Sequence, residues 1–365
     1  MSIINIIIPF IILISVVVFV HEYGHYYYAK KYGVKVTDFS IGFGKELFGW
    51  TDKDGTRWKV CLIPLGGYVK FFGDTNAASQ PEKLSSFSEN EKTHLLATKK
   101  LYQRAIIVSA GPIANFVLAL VIFSCVYMFF GKDFSVPVIQ DVKIDSPADK
   151  AGLKKGDQII GINNKKINDF DELRIAIIEA GTSEISITAI RDEQKLNFNL
   201  APELVEVENI FKEKMKLPTI GVIATDIQHH QLNIFQSFAK ANIETWQISN
   251  SILKTLKELL IGKRSIKELS GPVKIAQYSG KTIELGIMMV LWFGAMISIN
   301  LGVMNLLPIP MLDGGHLLFY LIEAIIGRPI NVKVQEIAFR IGFAILISLM
   351  IFTTINYIVN LVFYK

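Results

Sequence analysis

His21, Glu22 and His25 have the spacing of a metal site on a helix. Residues four apart project from one helical face, so the two imidazoles can hold one cation together. Two neutral imidazoles suit Zn²⁺. The carboxylate of Glu22, one residue past the first of them, can act as general base on a water activated there. With 6 histidines in 365 residues, random order yields on the order of 0.005 such matches. The surroundings sharpen the reading. Ile3 to Val20 carries no charge, and ionisable residues at the end of an apparent membrane span mark a functional site.

A catalytic zinc commonly has three protein ligands and a water, so a third donor is needed. It is expected in the stretch Asn305-Leu306-Leu307-Pro308-Ile309-Pro310-Met311-Leu312-Asp313-Gly314-Gly315-His316, where Asp313 is the first charge after Glu284. Two prolines there break the helix and expose backbone, which is tolerable only under cover of protein or beside a cavity. A carboxylate in that place calls for a cation. Asp313 is the expected third ligand, with His316 as the competing donor.

The elements that carry these residues read as membrane helices. The chain is 51% hydrophobic and 19% charged, and its apolar residues concentrate in charge-free runs at 3–20, 105–130, 285–312 and 341–364. Each is long enough to cross about 30 Å of hydrocarbon. The first does not read as a cleavable signal, since no Lys or Arg precedes it and no small-residue cleavage site follows. The net charge of +5 does not point to nucleic acid; its distribution sets orientation. Lys30, Lys31, Lys99, Lys100, Arg104, Arg328, Lys333 and Arg340 flank the spans on loops that should be cytoplasmic, which leaves 132–284 outside. Cys61 and Cys125 have no metal-site spacing, and their places argue against a structural disulfide.

Between the spans, Phe39, Ile41 and Phe43 alternate with small or polar residues. Trp58 to Phe71 is a second extended run, and Asp52-Lys53-Asp54-Gly55 between the two is turn material. Strand edges cannot face lipid, so these segments are expected to fold back against the helices as a re-entrant ribbon. Such a ribbon could offer an unpaired edge to an extended substrate. Residues 74–100 read as an irregular connection. Ser109-Ala110-Gly111-Pro112-Ile113-Ala114-Asn115 allows close helix packing, with Asn115 facing inward.

From about residue 135 the composition is that of a soluble domain. Strands are expected at 138–144, 158–163, 184–190 and 196–200, a short helix and tight turn at 146–157, and a helix at 170–179. The run Ser146-Pro147-Ala148-x-x-Ala151-Gly152-Leu153-x-x-Gly156-Asp157-x-Ile159-x-x-Ile162-Asn163 is similar to PDZ domains of bacterial envelope proteases. PDZ domains bind peptides by adding a strand to a sheet edge, and Thr219, Ile220 and Gly221 are the expected loop beside that groove. Residues 234–269 suggest an amphipathic helix, with Trp246, Leu253, Leu256 and Leu260 on one face. It would lie on the membrane surface or against the PDZ-like domain.

The two halves of the site together resemble the site-2 protease family of intramembrane zinc metalloproteases. His21-Glu22-x-x-His25 resembles the family's first motif, and Asn305-x-x-Pro308-x-Pro310-x-Leu312-Asp313-Gly314 its second. Gly111-Pro112-x-Ala114-Asn115, Gly66-Gly67-Tyr68-Val69 and Gly271-Pro272-Val273 also match, closest to the RseP-like bacterial branch. The resemblance implies zinc on His21, His25 and Asp313, with Glu22 as catalytic base and Asn115 and Asn305 holding the substrate backbone. It also implies a single-span membrane protein as substrate, trimmed first by another protease, in a bacterial cytoplasmic membrane. Some relatives carry two tandem PDZ domains, and this chain has room for one. Two rival readings are a divalent-cation transporter and a non-catalytic PDZ adaptor. The first wants acidic or His residues along the spans, where the runs hold almost none; the second has no use for Glu22.

The expected fold is a polytopic α-helical membrane protein of four transmembrane helices, with a re-entrant β segment and an inserted α+β PDZ-like domain. The divisions are 1–30, first span; 31–103, cytoplasmic with the β segment; 104–131, second span; 132–226, PDZ-like domain. There follow 227–284, amphipathic connection; 285–327, third membrane segment; and 328–365, fourth span. The orientation is checked with single cysteines at Ser79 and Asn168, which an impermeant thiol reagent should reach from opposite sides of the membrane. Labelling of both from one side would overturn the four-span topology.

Overall fold

The computed structural model describes residues 3–74, 86–209, 211, 214–223, 227–263 and 271–363. The charge-free runs become helices, because in an apolar surrounding only internally bonded backbone is stable. In chain order, helix α1 (Ile3–Lys31) leads into strands β1 (Val36–Thr51) and β2 (Arg57–Phe71), a short helix α2 (Glu89–Lys92) and helix α3 (Leu101–Phe130). Next come β3 (Lys132–Ser135), β4 (Asp141–Val142), α4 (Pro147–Lys150), β5 (Gln158–Ile162), β6 (Lys165–Lys166), α5 (Phe170–Ala180), β7 (Ile185–Arg191) and β8 (Gln194–Leu200). Strands β9 (Glu203–Glu208), β10 (Lys214–Thr219), β11 (Val222–Ile223) and β12 (Ile227–His230) precede α6 (Ile234–Leu260), α7 (Pro272–Glu284), α8 (Ile287–Leu306), α9 (Asp313–Ile326) and α10 (Val332–Phe363). Among the described residues four helical stretches are long and apolar enough to cross a membrane: Asn5–Lys31, Leu101–Phe130, Ile287–Leu306 and Lys333–Tyr357.

Two compact units result, Met1–Val126 with Ile234–Lys365, and Tyr127–Asn233. In the first, small residues bring helices together. A Cβ on Gly24 of α1 would sit 3.0 Å from Ala114 Cβ and closer still to the Ala110 backbone of α3. Gly302 of α8 faces Phe116 and the Pro112 carbonyl in the same way. Large apolar side chains such as Ile8, Ile12, Val117, Val121, Ile345 and Ile355 stay exposed on the outer faces, as they would against lipid. Helix α6 leaves Phe235, Trp246 and Leu260 exposed; the expected continuation to 269 lies partly outside the described residues.

The two extended runs form one curled sheet. Asp52 fixes the turn between them by accepting from the Asp54 and Thr56 N–H groups through Oδ1. Each long strand bends where glycine supplies positive φ, at Gly42 and Gly44 in β1 and Gly66 in β2. Asp38–Ile41 therefore pairs on one side with Gly67–Lys70 and on the other with Arg57–Val60, while Glu46–Thr51 pairs again with Arg57–Cys61. Segment 67–71 is left at one margin of the sheet. Phe39, stacked on Trp58 with ring centroids 4.3 Å apart, is part of the core that joins the sheet to α1.

The second unit contains a four-stranded antiparallel sheet in the order β6-β5-β7-β8. Ile159, Ile162, Ile185, Ile187 and Leu200 pack with Leu173 and Ile177 of α5 into its core. The expected strand at 138–144 contracts to β4, joined by a single bridge from Val138 to Gln158. Asp145 at its end turns the chain at φ 63°. The hairpin β9–β10 falls in a stretch the sequence left unassigned.

Asp157 is fully buried at the foot of β5, where Arg191 of β7 donates to both its oxygens at 2.6 and 2.7 Å. Burial works against its charge, but the Arg191 bonds and the Lys154 N–H outweigh it and hold the carboxyl below its ordinary value. The stability this pair contributes is thus present above the ordinary carboxylate range and is lost as pH falls through the depressed value. Arg191→Met strands a buried charge and should cost about 2 kcal/mol or more, the full buried-pair cost being lessened by the partial exposure of Arg191. Hydrogen exchange of the β5 amides in the full chain should speed up accordingly; unchanged protection would remove this pair from the determinants of the unit.

Candidate metal centre

Helix α1 places His21 and His25 on its buried face, with their rings edge to face at 4.8 Å and their Nε2 atoms 3.2 Å apart. Two like lone-pair atoms at that distance bind nothing between themselves when both are unprotonated. Behind them runs α3. Nδ1 of His25 donates to the Ile107 carbonyl at 2.8 Å, which fixes the tautomer and leaves Nε2 as the free electron pair. The histidines pack so closely on α3 that a Cβ at Gly111 would lie 2.9 Å from His21 Cε1 and 2.6 Å from His25 Cε1.

The third donor arrives through the broken segment after α8. Leu307 takes an extended conformation before Pro308, and Met311 adopts φ 90°, a strained value for a residue with a side chain. Gly314 and Gly315 then start α9 so close to the Leu306 and Ile309 carbonyls that a Cβ on either would collide with them. In this way Asp313, first residue of α9, reaches the histidines. Its Oδ2 lies 3.2 Å from His21 Nε2 and 3.5 Å from His25 Nε2. That oxygen is buried and has no hydrogen-bond partner. Three donor atoms converge on one point, one of them a carboxylate oxygen, a set whose chemistry suits a divalent cation.

The geometry fits zinc. Donors at about 2.0–2.1 Å from a tetrahedral ion stand about 3.3–3.4 Å from each other, against the 3.2, 3.2 and 3.5 Å found. Among the described residues His21, His25 and Asp313 are the group of His, Cys, Asp and Glu so arranged. His316 lies outside the group and packs its ring on Phe339 at 4.9 Å.

Glu22 is buried beside the three donors, and the Val69 N–H of the sheet margin donates to its carboxylate. Gly67 allows this approach, since a Cβ there would lie 3.2 Å from Glu22 Cγ and 2.7 Å from Val18 Cγ1. A cavity of about 520 Å³ opens onto the site. Glu22, Asn305, Asp313 and His316 line it beside Gly66–Val69 of β2 and an apolar wall including Leu346 and Met350 of α10.

The remaining sequence expectations fall as follows. Asn305 lies on the cavity side, its Nδ2 3.4 Å from His21 Nε2. Asn115 is fully buried on the opposite side of His21 and does not line the cavity. Thr219 ends β10. Ile220 is buried in the core of the second unit, and Gly221 takes φ 82° with its carbonyl accepting from Lys143 N–H. Sequence reasoning read close helix packing around Gly111 and placed Val69 in a matching motif. It passed over Ile107 and did not say that Gly111 seats the two imidazoles or that Val69 meets Glu22. The doublet Gly66-Gly67 and the lone Gly111 in an apolar run were the available signals, because glycine in such places marks a close approach.

Comparison with known proteins supplies an independent view. Residues 9–349 match the model of peptidase family M50. The chain is similar to a protein of Agrobacterium fabrum that carries a provisional zinc-metalloprotease name, 41% identical over 98% of this chain and 96% of that protein. A Rickettsia conorii protein with the same kind of name is 42% identical over 97% and 99% of the two chains. Metalloprotease MmpA of Caulobacter vibrioides is 34% identical over 94% and 93%.

The tight seat of the histidines on α3 yields a direct test. Gly111→Ala adds one methyl where both rings already lie, so the ligands must move apart and metal affinity should fall at least about tenfold. Metal content of the purified protein by elemental analysis reads this; undiminished content would show that the rings are not confined there.

Proposed function

The chain belongs to peptidase family M50, the site-2 protease family of zinc metalloproteases, and on that premise we propose that it cleaves single-span membrane proteins within or beside their membrane segment. It is a multi-pass membrane protein, and we assign it to a bacterial cytoplasmic membrane. The observation that carries the reading is the convergence of His21, His25 and Asp313 at tetrahedral separations beside Glu22, at the end of an apolar span.

In this reading His21, His25 and Asp313 hold the zinc. Bound there, the metal supplies Lewis acidity that polarises the scissile carbonyl and lowers the pKa of water. Glu22 takes the proton from the attacking water and delivers it to the leaving amine. The Val69 N–H keeps the carboxylate of Glu22 turned toward the site. Asn305, on the cavity side, offers its amide to the substrate backbone.

A substrate helix must unwind locally before its amides can be reached, and the unwound backbone needs hydrogen-bond partners. Segment 67–71 at the margin of the curled sheet borders the cavity and suits pairing with an extended chain. The sheet then acts as the re-entrant ribbon that sequence reasoning anticipates. The unit at 127–233 we read as a PDZ-like module that selects substrates, after a first cut elsewhere, for regulated signalling proteolysis. Its fold of a four-stranded sheet with α5 across it supports this.

Proton transfer and metal binding separate experimentally. Glu22→Gln keeps size and hydrogen-bonding capacity but cannot accept the proton. Zinc should stay bound while cleavage of a single-span substrate falls by about a hundredfold or more. Asp313→Ala leaves two protein ligands and should lose both zinc and cleavage. Substantial cleavage by the Gln variant, or full zinc retention by the Ala variant, would refute these roles.

A further inference from the structure

We infer that Asn115 is a positioning residue for the metal ligand His21: its side-chain oxygen accepts the Nδ1–H of that imidazole and so presents Nε2 as a ligand. The inference rests on the proposed zinc site and adds to it the residue that sets the protonation pattern of one ligand. A neutral imidazole carries a single N–H. If Nε2 is to give its lone pair to a metal, the proton must sit on Nδ1, and a buried N–H needs an acceptor. For His25 the acceptor is the Ile107 carbonyl at 2.8 Å.

For His21 the corresponding neighbour is the side-chain amide of Asn115, placed with Nδ2 3.2 Å from Nδ1. The oxygen and nitrogen of an amide are told apart by the bonds they make. With nitrogen toward the ring, Nδ1 would have to be the acceptor and the proton would move to Nε2, into the space shared with His25 Nε2 and Asp313 Oδ2. That tautomer cannot bind a metal. With oxygen toward the ring, both histidines have the same tautomer and both present Nε2. In the placed orientation Asn115 Oδ1 is buried without a hydrogen-bond partner, and turning the amide over gives it this bond.

The surroundings hold Asn115 in place for the task. It is fully buried, one helical turn beyond Gly111, and its backbone carbonyl accepts from Ser298 Oγ of α8 at 2.9 Å. Helix α3 thus supplies the acceptor for each histidine from two turns of one face, Ile107 for His25 and Asn115 for His21. Asn115 stands behind the ligand, away from the cavity into which Asn305 projects.

The test measures zinc affinity of the full chain in detergent by competition with a chromophoric chelator. Asn115→Leu keeps size but removes the acceptor, and zinc should bind about 10–100-fold more weakly. Asn115→Asp offers only acceptor oxygens, so its affinity should stay at or above the wild-type value. A donor role for the amide, or a role in holding substrate, predicts otherwise. In the first case Asn115→Asp loses zinc; in the second, both variants bind zinc normally and only KM rises. Either result overturns the inference. Should Asn115→Leu fail to fold, the Asp variant decides through zinc and KM together. Lost zinc excludes the acceptor role, retained zinc with a raised KM assigns Asn115 to substrate instead, and retained zinc with an unchanged KM supports the inference. Absence of zinc from the wild-type chain would instead defeat the metal-site reading on which the inference stands.

Discussion

A carboxylate oxygen held among apolar helices with no hydrogen-bond partner is an expensive thing to keep, and Asp313 Oδ2 is such an atom. Its burial makes sense only with a positive charge beside it. The same requirement governs the two imidazoles, whose Nε2 lone pairs face each other and the carboxylate. Much of the surrounding structure follows from bringing these three donors together at one point beside the cavity. The donor set suits zinc, the metal of the family to which the chain belongs.

Close approach is achieved by omission of side chains. Gly24 and Gly111 let α1 and α3 pack with the histidine rings between them, and Gly314 and Gly315 let α9 begin against the last carbonyls of α8. In a membrane bundle, helix association depends on such packing and on buried polar bonds more than on a hydrophobic drive. The bonds from His25 to Ile107 and from Ser298 to Asn115 are of that kind. At the far end of α9, Arg104 of α3 grips Glu323 with both guanidinium nitrogens, and its guanidinium carbon lies 4.9 Å over the Tyr320 ring. Helix α9 is therefore held at both its ends, next to α1 at the site and to α3 through an ion pair.

The curled sheet solves a second problem. A general base among metal ligands must be held without being drawn into the metal's coordination. Glu22 lies off the line of His21 and His25, and the Val69 N–H gives its carboxylate a separate anchor. That arrangement requires the strand to pass within contact of α1, which Gly67 permits and any larger residue would prevent. The bends at Gly42, Gly44 and Gly66 are what turn two long strands so that segment 67–71 becomes the margin beside the cavity.

The four long apolar helices, the turn at 52–55 and the shared face of His21 and His25 were legible in the sequence, because each depends on local spacing or on the length of an apolar run. By contrast, α2 lies in a stretch read as irregular, and α9 was not separated from the third membrane segment. Gln158–Ile162, Phe170–Ala180 and the hairpin Ile185–Leu200 were legible for the same reason. The fold decided what depends on separations of tens to hundreds of residues. Sequence alone left Asp313 and His316 as competing donors; the start of α9 turns Asp313 into the site and packs His316 on Phe339. Nothing local distinguishes Asn115 from Asn305, since both are amides in apolar helices. Only the packing of α1 on α3 and the opening beneath α8 put one behind His21 and the other in front of it. Periodicity reports which face a residue occupies, whereas the identity of what meets that face is a property of the assembled bundle.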